Sequence, residues 1–283
     1  MSDDEIQISE AELRAMTAEM VEMHEATFPQ MRENLSDLGA ALREDERGAA
    51  RSADRRRFLL GGGALAAGGL LLAAGGGRAA AATLGEGRSA LPATPGRHAG
   101  PVASSEEFAT TANKDVASLK LDASLENLAV FAYGAALKDA GKGKFGKVPA
   151  AVAEFAKHAR KQHADHAEAF NAALINAGSR AYTKPDPALT PAVLKMYKAT
   201  NSVSELAKLA LTLENTAAAT YIKQMKTLRG AQALSAVATI APVERQHAAI
   251  LSFVLGDYPV PDTFVKLGAT STSLGARPTS DLK

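Results

Sequence analysis

Two glutamates and two histidines recur in this sequence in the same order. Glu126 and Glu214 are each preceded by leucine, followed by asparagine, and followed seven residues later by a tyrosine. Each glutamate then leads to the tripeptide Gln-His-Ala, which places His163 after the first copy and His247 after the second. Because the chain has no cysteine, any metal ion would be held by carboxylates and imidazoles. The repeat therefore predicts a site built from those two groups.

A third carboxylate belongs to the same pattern. Glu244 lies three residues before His247, so both side chains would lie on one face of a helix. The repeat tyrosines, Tyr133 and Tyr221, lie close to two helical turns after their glutamates and are expected to hydrogen-bond to buried carboxylates. Three unpartnered carboxylates in an apolar interior would cost on the order of several kcal/mol. A pair of divalent or trivalent cations would remove that repulsion.

Helices are needed to bring these residues together. The glutamate and histidine are 37 residues apart in the first copy and 33 in the second, which suits a helical hairpin. Aromatic residues make up 5% of the chain and alanine dominates its apolar runs, which favours closely packed helices. Four long helical patterns cover about 113–140, 149–177, 202–228 and the stretch from Arg229-Gly230 to 255. With a long crossover at 179–190, they predict an all-α four-helix bundle of two hairpins.

Residues 113–262 resemble the ferritin-like superfamily, specifically exported bacterial ferritin-like domain proteins. The Tyr-Pro-Val-Pro sequence that begins at Tyr258, after the last helix, is also similar to that group. The resemblance implies a centre that holds iron or manganese, with up to two ions, in the core of the bundle. The metal ligands that it implies, in chain order, are Glu126, His163, Glu214, Glu244 and His247.

One position departs from that pattern. Arg160 stands three residues before His163, where the resemblance implies a bridging glutamate, and arginine cannot bind a cation. In one explanation His166, a turn after His163, supplies a replacement ligand. In a second, Arg160 pairs with Glu126 or Glu244 and takes the place of metal charge, which leaves one ion or none. In a third, Arg160 points to solvent.

The first part of the chain has a different character. Residues 1–82 carry 9 Lys/Arg and 14 Asp/Glu, whereas the rest carries 23 and 17. Residues 1–53 are predicted to form an acidic, amphipathic helical extension, whose apolar stripe runs through Leu13, Met16, Met20 and Met23. The alternative is that this helix docks an escort protein. The mild basic excess of the remainder is thinly spread and lacks interleaved aromatic residues, so nucleic acid is not an expected partner.

An export signal is predicted between the extension and the bundle. Segment 54–83 resembles a twin-arginine signal, because Arg55, Arg56, Phe58 and Leu59 match its pattern. The uncharged run 58–77 contains eight glycines and is the only expected membrane contact, whether the signal is cleaved or kept as an anchor. The resemblance implies the twin-arginine machinery as partner and a periplasmic or cell-envelope location. Residues 84–112 are expected to be a linker and 263–283 a C-terminal tail.

Two functional hypotheses follow from these residues. In the first, the bundle binds iron or manganese and acts as a metal-dependent oxidoreductase or iron-handling protein that reacts with dioxygen or peroxide. In the second, the bundle is a metal-free exported structural or interaction protein with a degenerate site. The second hypothesis predicts that Arg160 pairs with an inward glutamate, and this contact distinguishes the two.

Overall fold

The computed structural model describes residues 6–62, 105–228, 231–260 and 264–279. These residues form six helices, and the strand-like structure among them is one isolated bridge between Thr270 and Ser273. In chain order the helices are α1 (Glu10–Gly62), α2 (Ser105–Ala140), α3 (Ala150–Asn176), α4 (Thr190–Ala199), α5 (Val203–Gln224) and α6 (Ala231–Leu255). The predicted all-α class is confirmed.

The bundle consists of two helical hairpins. α2 packs against α3, and α5 packs against α6. The turn between α2 and α3 contains Gly143 and Gly146, whose positive φ angles of 79° and 74° are readily adopted by glycine. Pro149 precedes α3, where a missing backbone N–H costs nothing. Ser202 begins α5 by accepting a hydrogen bond from the backbone N–H of Glu205 at 3.2 Å. The crossover between the hairpins carries the short helix α4.

α1 is a long helix that packs along the outside of the bundle, mainly against α3 and α6. Its buried stripe advances in steps of three and four residues. The buried side chains of this stripe are Leu13, Thr17, Met20, His24, Met31, Leu35, Leu38 and Leu42. The sequence favoured Met16 and Met23 at two of these places, but Met16 is only half-buried and Met23 is 45% exposed. Thr17, His24, Met31 and Leu38 are spaced seven residues apart and lie on one face of α1. Thr17 and His24 are therefore buried with Met31 and Leu38 where this face packs against the bundle.

The buried stripe of α1 is thus covered by helices of the same chain. α1 continues to Gly62 and includes the positions of Arg55, Arg56, Phe58 and Leu59, whose side chains lie outside the described residues. Residues 63–104, which contain most of the predicted signal and linker, also lie outside them. Within the ranges that the structure describes, no helix is both long and apolar enough to cross a membrane.

The C-terminal segment returns over α5. The backbone N–H of Leu274 donates to the hydroxyl of Thr216 at 2.9 Å, and that of Arg277 donates to Thr220 at 3.0 Å. The side chain of Asn215 donates to the carbonyl of Thr272 at 3.0 Å. Thr216 and Thr220 are fully buried beneath this segment.

Candidate metal centre

Six buried ionisable side chains from four helices meet in the interior of the bundle. Two are the repeat glutamates of α2 and α5, two are histidines of α3, and two form the Glu-x-x-His pair of α6. They are Glu126, His163, His166, Glu214, Glu244 and His247. Each exposes at most 1% of its surface. The structure therefore brings together all five residues predicted as ligands, and His166 with them.

The six residues form two overlapping groups of metal-binding atoms. One group contains Glu126, His163, His166 and Glu244, and the other contains His163, Glu214, Glu244 and His247. Within each group, one ligand atom from every residue lies within 4.8 Å of the others. Glu244 and His163 belong to both groups. Each group could therefore hold a metal ion, and Glu244 and His163 could contribute to either group.

The repeat tyrosines link the two hairpins across this site. The Tyr133 hydroxyl on α2 donates to Oε1 of Glu214 on α5 at 2.6 Å. The Tyr221 hydroxyl on α5 donates to Oε1 of Glu126 on α2. Each tyrosine therefore donates a hydrogen bond to the glutamate of the other copy. This exchange explains why both copies have a tyrosine seven residues after the glutamate. Burial and the nearby carboxylate raise the pKa of both tyrosines well above 10, so they remain hydrogen-bond donors.

Arg160 points out of the bundle. It is exposed, and its guanidinium lies over α2 beside Gly134, where an added Cβ would lie 3.3 Å from Nε. Both Glu126 and Glu244 are fully buried, so the predicted pairing of Arg160 with either carboxylate is absent from this structure. His166 instead turns into the site, with Nδ1 at 3.5 Å from both Glu126 Oε1 and Glu244 Oε1. The third explanation for Arg160 is confirmed, and His166 lies where the first explanation requires a replacement ligand.

The imidazoles and carboxylates pair with one another. His163 Nδ1 lies 2.7 Å from Glu126 Oε2, and its Nε2 lies 3.3 Å from Glu214 Oε1. His247 Nδ1 lies 3.3 Å from Glu214 Oε2. Burial opposes the charge on His166, but Glu126 and Glu244 together outweigh it and raise the His166 pKa to about 9. The pKa values of His163 and His247 are also raised, by carboxylates that overcome the effect of burial.

The glutamates shift in the complementary direction. Burial disfavours the ionised form of Glu126, but attraction to His166 and the hydrogen bond with His163 lower its pKa to about 2. The pKa of Glu214 is held well below its usual value, because His163 and His247 together outweigh the cost of burial. In the metal-free protein, protons on the imidazoles thus supply the positive charge that balances the buried carboxylates.

Part of this cluster lacks hydrogen-bond partners. Neither carboxylate oxygen of Glu244 and neither ring nitrogen of His166 makes a hydrogen bond in the part of the chain that the structure describes. Buried polar atoms are rarely left in this state without an ion or water to complete them. Carboxylate oxygens and imidazole nitrogens are ligands that iron and manganese accept. The donor set therefore fits a metal ion, with Glu244 at the middle of the site.

Sequence reasoning missed three contacts of the site. His247 Nε2 donates a hydrogen bond to Oε1 of Gln162 at 2.7 Å, and Gln162 is 3% exposed. The glutamine belongs to both Gln-His-Ala tripeptides, so its repetition was an available signal. The other two are His24 and Phe28 of α1, whose rings lie against His166. No local pattern connects α1 with that histidine.

Two cavities lie close to the cluster. The first, of about 20 Å³, lies between α2 and α5 and is lined in part by Glu126, His163 and Glu214. It has room for a molecule of about the size of water. The second, of about 60 Å³, is lined only by apolar surface, which includes part of Tyr133. The alanines Ala136 and Ala210 form part of its wall.

A family model described as a ferritin-like domain matches residues 114–257, which is just over half of the chain and contains all six residues of the cluster. α1 lies outside the matched range. Neither a curated protein nor a solved structure matches the chain. With helices, buried Glu/His cluster and matched residues in agreement, the chain belongs to the ferritin-like domain family.

Proposed function

We propose that this protein binds iron or manganese, as a pair of ions, in the core of its bundle, and that the centre acts as a metal-dependent oxidoreductase or in iron handling. The single observation that carries the proposal is Glu244. Its carboxylate is fully buried, belongs to both groups of ligand atoms and has no hydrogen bond to either oxygen. Two ions on either side of it would complete both oxygens.

The residues of the chain have distinct parts in this proposal. Glu126 and His166 would bind one ion, Glu214 and His247 the other, with Glu244 between them and His163 available to either ion. Tyr133 and Tyr221 hold the outer carboxylates by hydrogen bonds from the opposite hairpin, which keeps the pair of hairpins at a fixed separation. Bound iron or manganese would supply the electrons for reduction of dioxygen or peroxide.

The surroundings of the cluster support a small oxidant. The cavity between α2 and α5 reaches three of the ligands and has room for a water-sized molecule only. A larger organic substrate would have to displace helices to reach the ions. The complete burial of the ligands also keeps bulk water away from them, which strengthens their electrostatic interactions.

Metal analysis tests the proposal directly. Protein purified without added chelator is expected to contain iron or manganese, and the double variant Glu214→Ala/Glu244→Ala is expected to contain none. The matched control is Glu22→Ala/Glu25→Ala, which removes two exposed glutamates of α1 and should leave the metal content unchanged. An unchanged metal content in the Glu214/Glu244 variant, with helicity preserved, would refute metal binding at this site.

The metal-free hypothesis has less support. It predicts an ion pair between Arg160 and an inward glutamate, but Arg160 is exposed and the carboxylates pair with histidines.

We also propose that the protein is exported through the twin-arginine machinery to the periplasm or cell envelope. The support is the match of Arg55, Arg56, Phe58 and Leu59 to the signal pattern, followed by the uncharged run 58–77. Replacement of Arg55 and Arg56 by lysine is expected to retain the protein in the cytoplasm, whereas Arg14→Lys is the control. Equal distribution of the two variants in cell fractions would contradict export by this route.

A further inference from the structure

α1 contacts the metal centre through an aromatic pair. His24 and Phe28 stack with ring centroids 4.9 Å apart, and their rings lie 5.2 Å and 6.2 Å from the ring of His166. His24 is 7% exposed and its Nε2 lies 3.4 Å from Asp165 Oδ2. His166 has no hydrogen bond from either nitrogen in the described residues, so these rings hold it by packing.

α1 also fixes how α3 is turned about its own axis. The Glu10 carboxylate accepts from the backbone N–H of Ala151 in the first turn of α3 at 3.2 Å. Asn176 at the other end of α3 donates to the Ser36 hydroxyl at 3.1 Å. Near the Asn176 end, Gly39 lies so close to α3 that an added Cβ would lie 2.4 Å from the carbonyl oxygen of Ala173. α3 therefore has little freedom to rotate or slide.

The rotation of α3 decides which of its residues enters the site. Arg160 and His163 are spaced like Glu244 and His247, yet Arg160 faces solvent and His166 faces the cluster. The inward arc of α3 is thus shifted towards its C-terminus compared with that of α6. This shift agrees with the position of α1, which packs against α3 at the level of His166.

We propose that α1 is a functional part of the metal centre, in which His24 and Phe28 are positioning residues that seat His166 as the ligand in place of a carboxylate at position 160. The proposal rests on metal binding at the cluster, as proposed above. It assigns a role to a helix that lies outside the range matched by the family model. Without the aromatic pair, the ring of His166 can rotate away from Glu126 and Glu244, and water can reach it.

The test uses the full-length protein and Mn²⁺ as the probe. The variant His24→Ala/Phe28→Ala removes the aromatic pair, and Met23→Ala removes an exposed side chain from the same helix as the matched control. His166→Ala gives the reference for loss of the ligand itself. Calorimetric titration yields the number of ions and their affinities, and electron paramagnetic resonance distinguishes a coupled Mn²⁺ pair from an isolated ion.

Wild type and Met23→Ala are expected to bind two coupled ions. The aromatic-pair variant and His166→Ala are both expected to bind one ion at the Glu214/His247 side, with the second affinity at least tenfold weaker and the coupled signal lost. Phe28→Leu, which preserves most of the packing, should restore two ions when His24 is intact. A purely structural role of α1 would weaken both ions equally rather than remove one.

Two coupled ions with wild-type affinity in the aromatic-pair variant would overturn the proposal. Absence of Mn²⁺ binding in the wild type would instead refute the proposed function, so the two failures are distinct. Circular dichroism checks that the bundle has folded. If the double variant does not fold, Phe28→Ala alone decides the question, since it removes the ring and leaves the contact between His24 and Asp165 in place.

Discussion

The metal-free protein is expected to lose stability as the pH rises from about 6.5 to about 9. The pKa of His166 is raised from 6.5 to about 9 in the folded state, because Glu126 and Glu244 attract the imidazolium more than burial disfavours it. A raised pKa contributes stability that is fully present below pH 6.5 and is lost as the pH passes through 9. The difference between the two values corresponds to about 3 kcal/mol. His163 and His247 shift in the same direction and increase the effect.

Acid has the complementary effect through the carboxylates. The pKa of Glu126 is lowered from 4.5 to about 2, so its contribution is present above pH 4.5 and is lost as the pH falls towards 2. This is the same attraction between Glu126 and the imidazoles, measured from the other partner, so the two contributions are not added. The metal-free protein is therefore expected to be most stable between about pH 4.5 and 6.5.

Urea unfolding of chelator-treated protein at pH 6 and pH 9 measures the effect. His166→Gln cannot hold the proton, so the free energy of unfolding should depend less on pH in that variant by about 3 kcal/mol. His158→Gln, which changes a histidine outside the cluster on the same helix, is the control. Stability gained from added Mn²⁺ should increase over the same pH range, because the ligands must release protons to bind an ion. Metal-free wild-type stability that is constant or rises between pH 6 and 9 would refute the assignment of protons to the imidazoles.

Three further outcomes are expected. Tyr221→Phe removes the hydrogen bond to Glu126 and should lower the free energy of unfolding by about 1–3 kcal/mol, as measured by urea denaturation. Arg160→Ala should leave the metal content unchanged, because that side chain is exposed; loss of metal would place Arg160 in the site. Ala210→Phe fills the apolar cavity and should slow the oxidation of the bound metal by dioxygen, which is apolar, but not by peroxide, in stopped-flow measurements. If the variant changes the rates with both oxidants equally, the cavity is not the route of dioxygen.

Much of the fold and most of the cluster could be predicted because the hairpin is duplicated. The separation between glutamate and histidine predicts the length of a helical hairpin, and the second copy supports the prediction made from the first. The duplication also predicts a tyrosine at the same depth as each glutamate. It does not reveal that Tyr133 donates to Glu214 and Tyr221 donates to Glu126, since that exchange depends on how the two hairpins face each other.

The orientation of α3 could not be predicted from the same pattern. Spacing alone makes Arg160 the counterpart of Glu244, and local sequence offers no reason for it to face solvent. The reason is a contact with a helix more than a hundred residues earlier in the chain, where Glu10 and Ser36 hold the two ends of α3. Hydrophobicity within α1 also misleads, because the polar His24 is buried whereas Met23 is exposed.

The position of α1 in the chain bears on the proposed export. α1 precedes the uncharged run 58–77, and residues before a membrane-inserted signal with this charge pattern stay on the cytoplasmic side. An exported bundle would lie on the other side and could not keep α1 packed on α3. The docked arrangement and the exported state therefore exclude each other. The role proposed for α1 at the metal centre belongs to the protein before export, and export requires α1 to leave the bundle.

A cross-link between α1 and α3 tests this requirement. The chain has no cysteine, so Ser36→Cys/Asn176→Cys introduces one thiol pair where the native side chains are 3.1 Å apart. Oxidation or a short bifunctional thiol reagent should block import of this precursor into membrane vesicles, and reduction of the disulfide should restore it. Ser36→Cys alone is the control. Import of the cross-linked precursor at the wild-type rate would mean that α1 travels with the bundle, and that residues 58–77 do not act as an inserted signal.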